Sequence, residues 1–180
     1  MTWPFAGLWD RAMNFETFVS RAANGGELWA GVYRLAQVPL WAVEGAAACG
    51  PLRIVVLAED WCGDAVNTVP VLAKWAALTR NVELRILRRD EHPEVMDRYL
   101  TGFSRSIPVV IVLTDDFQEL GWWGPRPRVL QARVLDERAR GRDKSEIYAD
   151  ARRWYARDRG ESTLREVLEV AARVLEGARR

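Results

Sequence analysis

The chain has 180 residues, 49% hydrophobic and 28% charged, which suits one soluble domain with its own core. Its 26 Lys and Arg stand against 25 Asp and Glu, and a formal charge of +1 argues against nucleic acid or an anionic membrane as the main partner. Two cysteines and one histidine fall short of a self-contained zinc site and of a disulfide-stapled secreted scaffold, so neither metal nor cofactor is expected.

Met1-Thr2-Trp3-Pro4-Phe5 lacks the basic segment and apolar run of a signal peptide. The longest wholly apolar run, Ile107 to Leu113, is far shorter than the ~20 residues that cross a bilayer, so a cytoplasmic protein is expected.

In chain order, residues 10–40 read as helical in two pieces, broken at Asn24-Gly25-Gly26 and ended by Pro39. The small-residue stretch Gly45 to Pro51 reads as a connector. Arg53 to Ala58 is a short, continuous, β-branched apolar run, the mark of a buried central strand. Trp61 to Asp64 form a turn, and Ala65 to Thr79 a helix containing Pro70. Val82 to Leu87 alternates as a second strand, and Pro93 to Leu100 is a short helix. Pro108 to Leu113 and Glu119 to Trp123 pair as a hairpin, and Pro127 opens a helix running to about Arg140.

Two more helices follow. Asp143 with Glu146 and Thr163 with Glu166 each fit a capping box, the second followed by an apolar stripe reaching Val174 and Leu175. Glu161 with Arg165 and Glu169 with Arg173 are well-oriented i,i+4 pairs. Basic groups outnumber acidic ones from Arg126 onward, which a solvated helix face explains better than a nucleic-acid arm. The order β-α-β-α-β-β-α, with helices at both ends, gives an α/β or α+β class with one central sheet. The expected organisation is a single domain over 1–180. Its core is about 53–140, between a helical N-terminal extension at 10–40 and a helical C-terminal one at 143–179.

The chemistry concentrates at Trp61-Cys62-Gly63-Asp64-Ala65, where the buried strand meets a helix N-terminus. First-turn amides without intrahelical partners point at that spot, and the helix dipole adds about half a positive charge. Both effects stabilise a thiolate. Glu59, Asp60 and Asp64 act the other way, since nearby negative charge raises a thiol's pKa. Arg105 is the first candidate to offset those acids, and Arg126 the second.

This segment resembles the active-site region of the thioredoxin family, whose usual motif is Trp-Cys-Gly-Pro-Cys. Pro70, eight residues beyond Cys62, matches the proline that kinks the family's active-site helix. Ile107-Pro108, opening a strand, matches the cis-proline that faces the thiol. The resemblance covers roughly residues 53–140 and implies a thioredoxin-like central mixed sheet with flanking helices, within the α/β class. It assigns Cys62 as catalytic residue and Trp61, Gly63, Asp64, Ile107 and Pro108 as substrate-binding residues, with Arg105 as candidate thiolate partner.

The departures matter as much. Ala65 replaces the resolving cysteine, Asp64 the intervening proline, and Val56 the family's buried proton-relaying carboxylate. A dithiol reductase is therefore excluded. Cys49 lies beyond the far end of the strand, about 20 Å away at ~3.3 Å per residue, whereas a disulfide needs Cα atoms within ~7 Å. It reads as an inert apolar filler.

Two function classes remain. One is a monothiol thiol–disulfide oxidoreductase that forms mixed disulfides with a protein or low-molecular-weight disulfide and is released by an external thiol. The other is a redox-inactive protein-binding module on the same fold. An iron–sulfur carrier, needing Cys62 from two subunits, ranks last. The C-terminal helices either pack on their own core or form a homodimer interface. His92 reads as a solvated or capping residue. Of the adjacent Trp122 and Trp123, only one can face the core fully.

Overall fold

The computed structural model describes residues 4–177, with side chains from 4 to 173. The sheet is formed by β1 (Leu52–Ala58), β2 (Val82–Arg88), β3 (Val109–Thr114) and β4 (Glu119–Trp123), in the order β2-β1-β3-β4. β1 runs parallel to β2, with Ile54 opposite Leu84, and antiparallel to β3, with Val55 opposite Ile111. β3 and β4 close the antiparallel hairpin.

Successive strand residues point to opposite faces, so a strand buried at every position is covered on both sides. Ile54 to Ala58 and Val109 to Leu113 are all fully buried, which makes β1 and β3 the covered centre. β2 and β4 keep exposed positions and form the edges.

The helices are α1 (Phe5–Arg11), α2 (Phe15–Ser20), α3 (Gly26–Leu35), α4 (Leu40–Ala48), α5 (Gly63–Leu78), α6 (Pro93–Met96), α7 (Arg128–Ala139), α8 (Lys144–Asp158) and α9 (Glu161–Gly177). α5 packs against α3 and β2, and α9 against β3, β4 and α4. One apolar cluster runs from Phe5 through the strands to Ala171 of α9. A second, smaller one joins Leu130 and Val134 of α7 to Ile147, Ala151 and Tyr155 of α8. No helix among the described residues is long and apolar enough to cross a membrane.

The architecture is the expected mixed α/β sheet with helices added at both ends. Several local readings change. The first helical piece is interrupted at Ala12–Asn14, where Met13 exchanges backbone hydrogen bonds of 2.9 and 2.7 Å with Ile86 at the edge of β2. The supposed connector at 45–51 is mostly the end of α4. Its small residues allow close packing, since a Cβ on Gly45 would lie 3.1 Å from Leu168 of α9. Ala42 and Ala46 are fully buried, and the Ala42 carbonyl accepts the Trp75 indole N–H at 2.9 Å. α6 stops at Met96, short of Leu100, although Val95, Met96 and Tyr99 are all buried. Pro127 caps α7 rather than beginning it.

Asp143 caps α8, accepting the Ser145 amide at 2.8 Å. The second capping box does not form. Thr163 lies inside α9 with its buried hydroxyl unpartnered among the described residues, and Asp158 accepts the Ser162 amide at the helix start instead. Glu166 turns inward, accepting the Trp123 indole N–H at 2.7 Å and the Arg128 amide at 3.0 Å. It thereby caps α7 and ties α9 to the sheet. Trp123 is thus the buried member of its pair, and Trp122 packs edge-on against Tyr99. Glu161 pairs with Arg165 at 3.7 Å, whereas Glu169 reaches Arg128 at 2.7 Å. The stripe positions Val174 and Leu175 lie outside the described side chains.

Candidate active site

β1 delivers the chain to a turn at Glu59–Trp61 that is fixed from both sides. The Glu59 carboxylate accepts the Asp90 amide at 2.9 Å and pairs with Arg88 at 3.2 Å. Asp60 accepts the Ala23 amide at 2.7 Å and lies 3.5 Å from Arg88, while its carbonyl takes the Trp29 indole N–H. Burial opposes the Asp60 carboxylate, but the Ala23 amide, Arg88 and Asn24 hold it below the ordinary carboxylate range. These two acids are therefore committed to the scaffold and do not gather on the thiol, as their spacing in the sequence suggested.

Cys62 is the N-cap residue of α5, in an extended backbone conformation. Its sulfur accepts the Ala65 amide N–H at 3.5 Å, and its S–H donates to the Ile107 carbonyl at 3.4 Å. The Ile107–Pro108 peptide is cis and lies alongside. Only 8% of Cys62 is exposed. Burial pushes the thiol above its usual range, the Asp64 carboxylate adds to this, and the Ala65 and Asp64 amides and Arg126 pull it back only in part. Ala65, in the resolving position, is fully buried.

Asp64 sits one turn-position on and is held by groups from distant elements. Arg126 meets its carboxylate through two N–H groups at 2.8 and 2.5 Å, and the Tyr155 hydroxyl of α8 donates to it at 3.0 Å. Gln131 accepts from the third Arg126 nitrogen at 2.9 Å. Burial and the Asp64 carboxylate push the Tyr155 hydroxyl well above its ordinary range, so it stays a donor.

Arg105, the first candidate for offsetting the acids, is instead exposed and held by Asp97 at 2.7 and 2.8 Å. Arg126, the second candidate, is the arginine that meets Asp64 and acts to lower the thiol. Trp61 is half-exposed beneath the Arg89 guanidinium, 5.1 Å from its ring centre. His92 stands before α6 with Nδ1 3.3 Å from Glu94.

Two residues of the site were not assigned to it from the sequence. Gly124 has φ +133, and a Cβ there would meet the Pro108 carbonyl oxygen at 2.1 Å, so the loop before Arg126 can lie against the cis-proline only with glycine. Tyr155 lies in the helix that follows Asp143, and nothing in the residues around it points to Asp64. Together with Lys144, Tyr148 and Arg152 of α8, it faces Trp61 and Cys62 across a cleft of about 420 Å³. Among the described residues there is no cluster of His, Cys, Asp and Glu suited to a metal ion.

A thiol at a helix N-cap beside a cis-proline, on a sheet of this order, defines a class of site found on thioredoxin-like folds. The family model described as thioredoxin matches residues 12–142, and the chain belongs to that family. The match takes in α2 and α3 and ends before α8. The fold is similar to that of a protein of unknown function from Pseudomonas aeruginosa, with 23% identity over 98% of this chain and 99% of that one and a TM-score of 0.75. It is also similar to an HIV epitope-scaffold, with 24% identity over 96% and 98% of the two chains and a TM-score of 0.71. No curated protein matches the chain.

Proposed function

We propose that the protein is a monothiol thiol–disulfide oxidoreductase acting through Cys62. The observation that carries this reading is the Cys62 sulfur itself, which accepts the Ala65 amide at the start of α5, lies beside cis-Pro108 and opens on a cleft. The thiol loses its proton to solvent, and the thiolate attacks one sulfur of a disulfide. The old S–S bond breaks, a mixed disulfide with Cys62 forms, and the departing thiolate takes up a proton. With Ala65 in the resolving position, an external thiol completes the cycle by attacking the mixed disulfide. A reducing compartment such as the cytoplasm supplies that thiol. The backbone of Ile107, just before β3, offers an edge along which a substrate segment pairs, with Pro108 packing beside the sulfur.

One observation favours the second reading, a redox-inactive binding module. Burial holds the thiol protonated at neutral pH, and its S–H is engaged by the Ile107 carbonyl. The test is the rate of Cys62 alkylation by iodoacetamide against pH in a Cys49→Ser background. The oxidoreductase reading predicts a rate that climbs through the alkaline range to completion. A Cys62 that stays unmodified at every pH where the protein is folded would overturn the oxidoreductase reading and leave the binding module.

A further inference from the structure

The cleft beside Cys62 has walls of unequal charge. The α5 side contributes one carboxylate, Asp64, which is already matched by Arg126 and Tyr155. The α8 side contributes Lys144 and Arg152. The Lys144 ammonium lies 5.5 Å over the Tyr148 ring, and among the described residues no carboxylate pairs with Lys144 or Arg152. Two nearby arginines are paired: Arg142 meets Glu137, Glu146 and Asp150, and Arg153 meets Asp150. The cleft therefore carries an unneutralised positive charge next to the one cysteine sulfur in the site.

We propose that this cleft binds a low-molecular-weight thiol or disulfide bearing carboxylates, with Lys144 and Arg152 as the groups that receive them. The covalent step rests on the Cys62 reading above, and the binding step on the cleft alone. A volume of about 420 Å³ falls in the range of small-molecule sites. With only 8% of Cys62 exposed beneath α8, a small disulfide reaches the sulfur more readily than a folded protein does. Guanidinium and ammonium groups suit carboxylates through charge-assisted hydrogen bonds. In the reaction, the Cys62 thiolate displaces one thiolate from the bound disulfide, which leaves protonated by solvent. A second thiol of the same class, as thiolate, attacks the mixed disulfide at the small-molecule sulfur. Its proton passes to solvent, Cys62 is released and a disulfide regenerated. No net oxidation occurs.

The experiment uses the full chain with Cys49→Ser, alone and with Lys144→Gln and Arg152→Gln added. Mixed-disulfide formation is followed with dithiodipropionate (anionic), hydroxyethyl disulfide (neutral) and cystamine (cationic). Adding the two glutamines should lower the ratio of the anionic to the neutral rate about tenfold, as should raising the salt concentration in the parent protein. Binding of thiodipropionate, a thioether that cannot exchange, is followed separately by NMR shifts of the Gly63 and Ala151 amides. Saturable shifts that disappear with the two glutamines support the cleft even if no disulfide reacts, in which case only the redox reading fails. An unchanged rate ratio, or no thiodipropionate binding, overturns the inference, while an adduct with hydroxyethyl disulfide would still uphold the redox reading.

Discussion

The two cysteines occupy opposite ends of the same strand and opposite kinds of helix terminus. Cys49 is the C-cap of α4, where carbonyls are left over, and its S–H donates to the Gly45 carbonyl at 3.3 Å. Cys62 is the N-cap of α5, where amides are left over, and its sulfur receives one of them from Ala65. Burial raises both thiols. Only at Cys62 do an amide and a guanidinium act against that rise. Burial dominates at both thiols, and the helix end that each one meets decides whether anything acts against it.

The comparison breaks most simply by exchanging the sulfurs one at a time. Cys62→Ser should abolish mixed-disulfide formation with hydroxyethyl disulfide, and Cys49→Ser should leave it intact, both read by intact mass. A next test moves the charge beside Cys62 while Cys49 stays as internal reference. Asp64→Asn removes the carboxylate that raises the thiol and keeps Arg126, so Cys62 alkylation at neutral pH should quicken severalfold. Arg126→Gln does the reverse and should slow it severalfold. Each variant breaks a largely buried ion pair and should cost about 3 kcal/mol of stability, measured by urea unfolding.

The smallest effect is in stability against pH. Folding raises the Cys62 thiol, so the folded state keeps its proton longer than the unfolded one. That contribution is complete below the unfolded thiol's pKa and is lost as pH rises above it. The parent protein should therefore lose more stability between neutral and alkaline pH than Cys62→Ala does. Equal slopes in paired urea titrations would show that burial leaves the thiol unshifted.

Much of this was legible from residue order. Arg53 to Ala58 and Pro108 to Leu113 are uninterrupted β-branched runs, and a strand buried on both faces has no other way to be written. Trp61-Cys62-Gly63, Pro70 and Ile107-Pro108 pointed to the thiol and its neighbouring proline through the resemblance to the thioredoxin family, since the two meet across 45 residues. What stayed hidden depends on contacts across the chain. The sequence put Arg105 ahead of Arg126, and only the fold gives Arg105 to Asp97 and Arg126 to Asp64. Glu166 sits three residues after a threonine and so imitated a capping box, while its carboxylate actually caps α7, 38 residues earlier. Gly45 to Ala48 looked like a connector because a helix made for close packing carries no apolar stripe of large residues. Tyr155 reaches Asp64 across 91 residues, a distance no periodicity records.

The account's central claim is that Cys62 forms and releases a mixed disulfide without a second cysteine. The most direct measurement is the intact mass of the Cys49→Ser protein, incubated with hydroxyethyl disulfide at mildly alkaline pH and then with an excess of free thiol. The account predicts a single adduct on Cys62 that the added thiol removes completely. A protein that remains unmodified while folded, or an adduct that the thiol cannot remove, would contradict it.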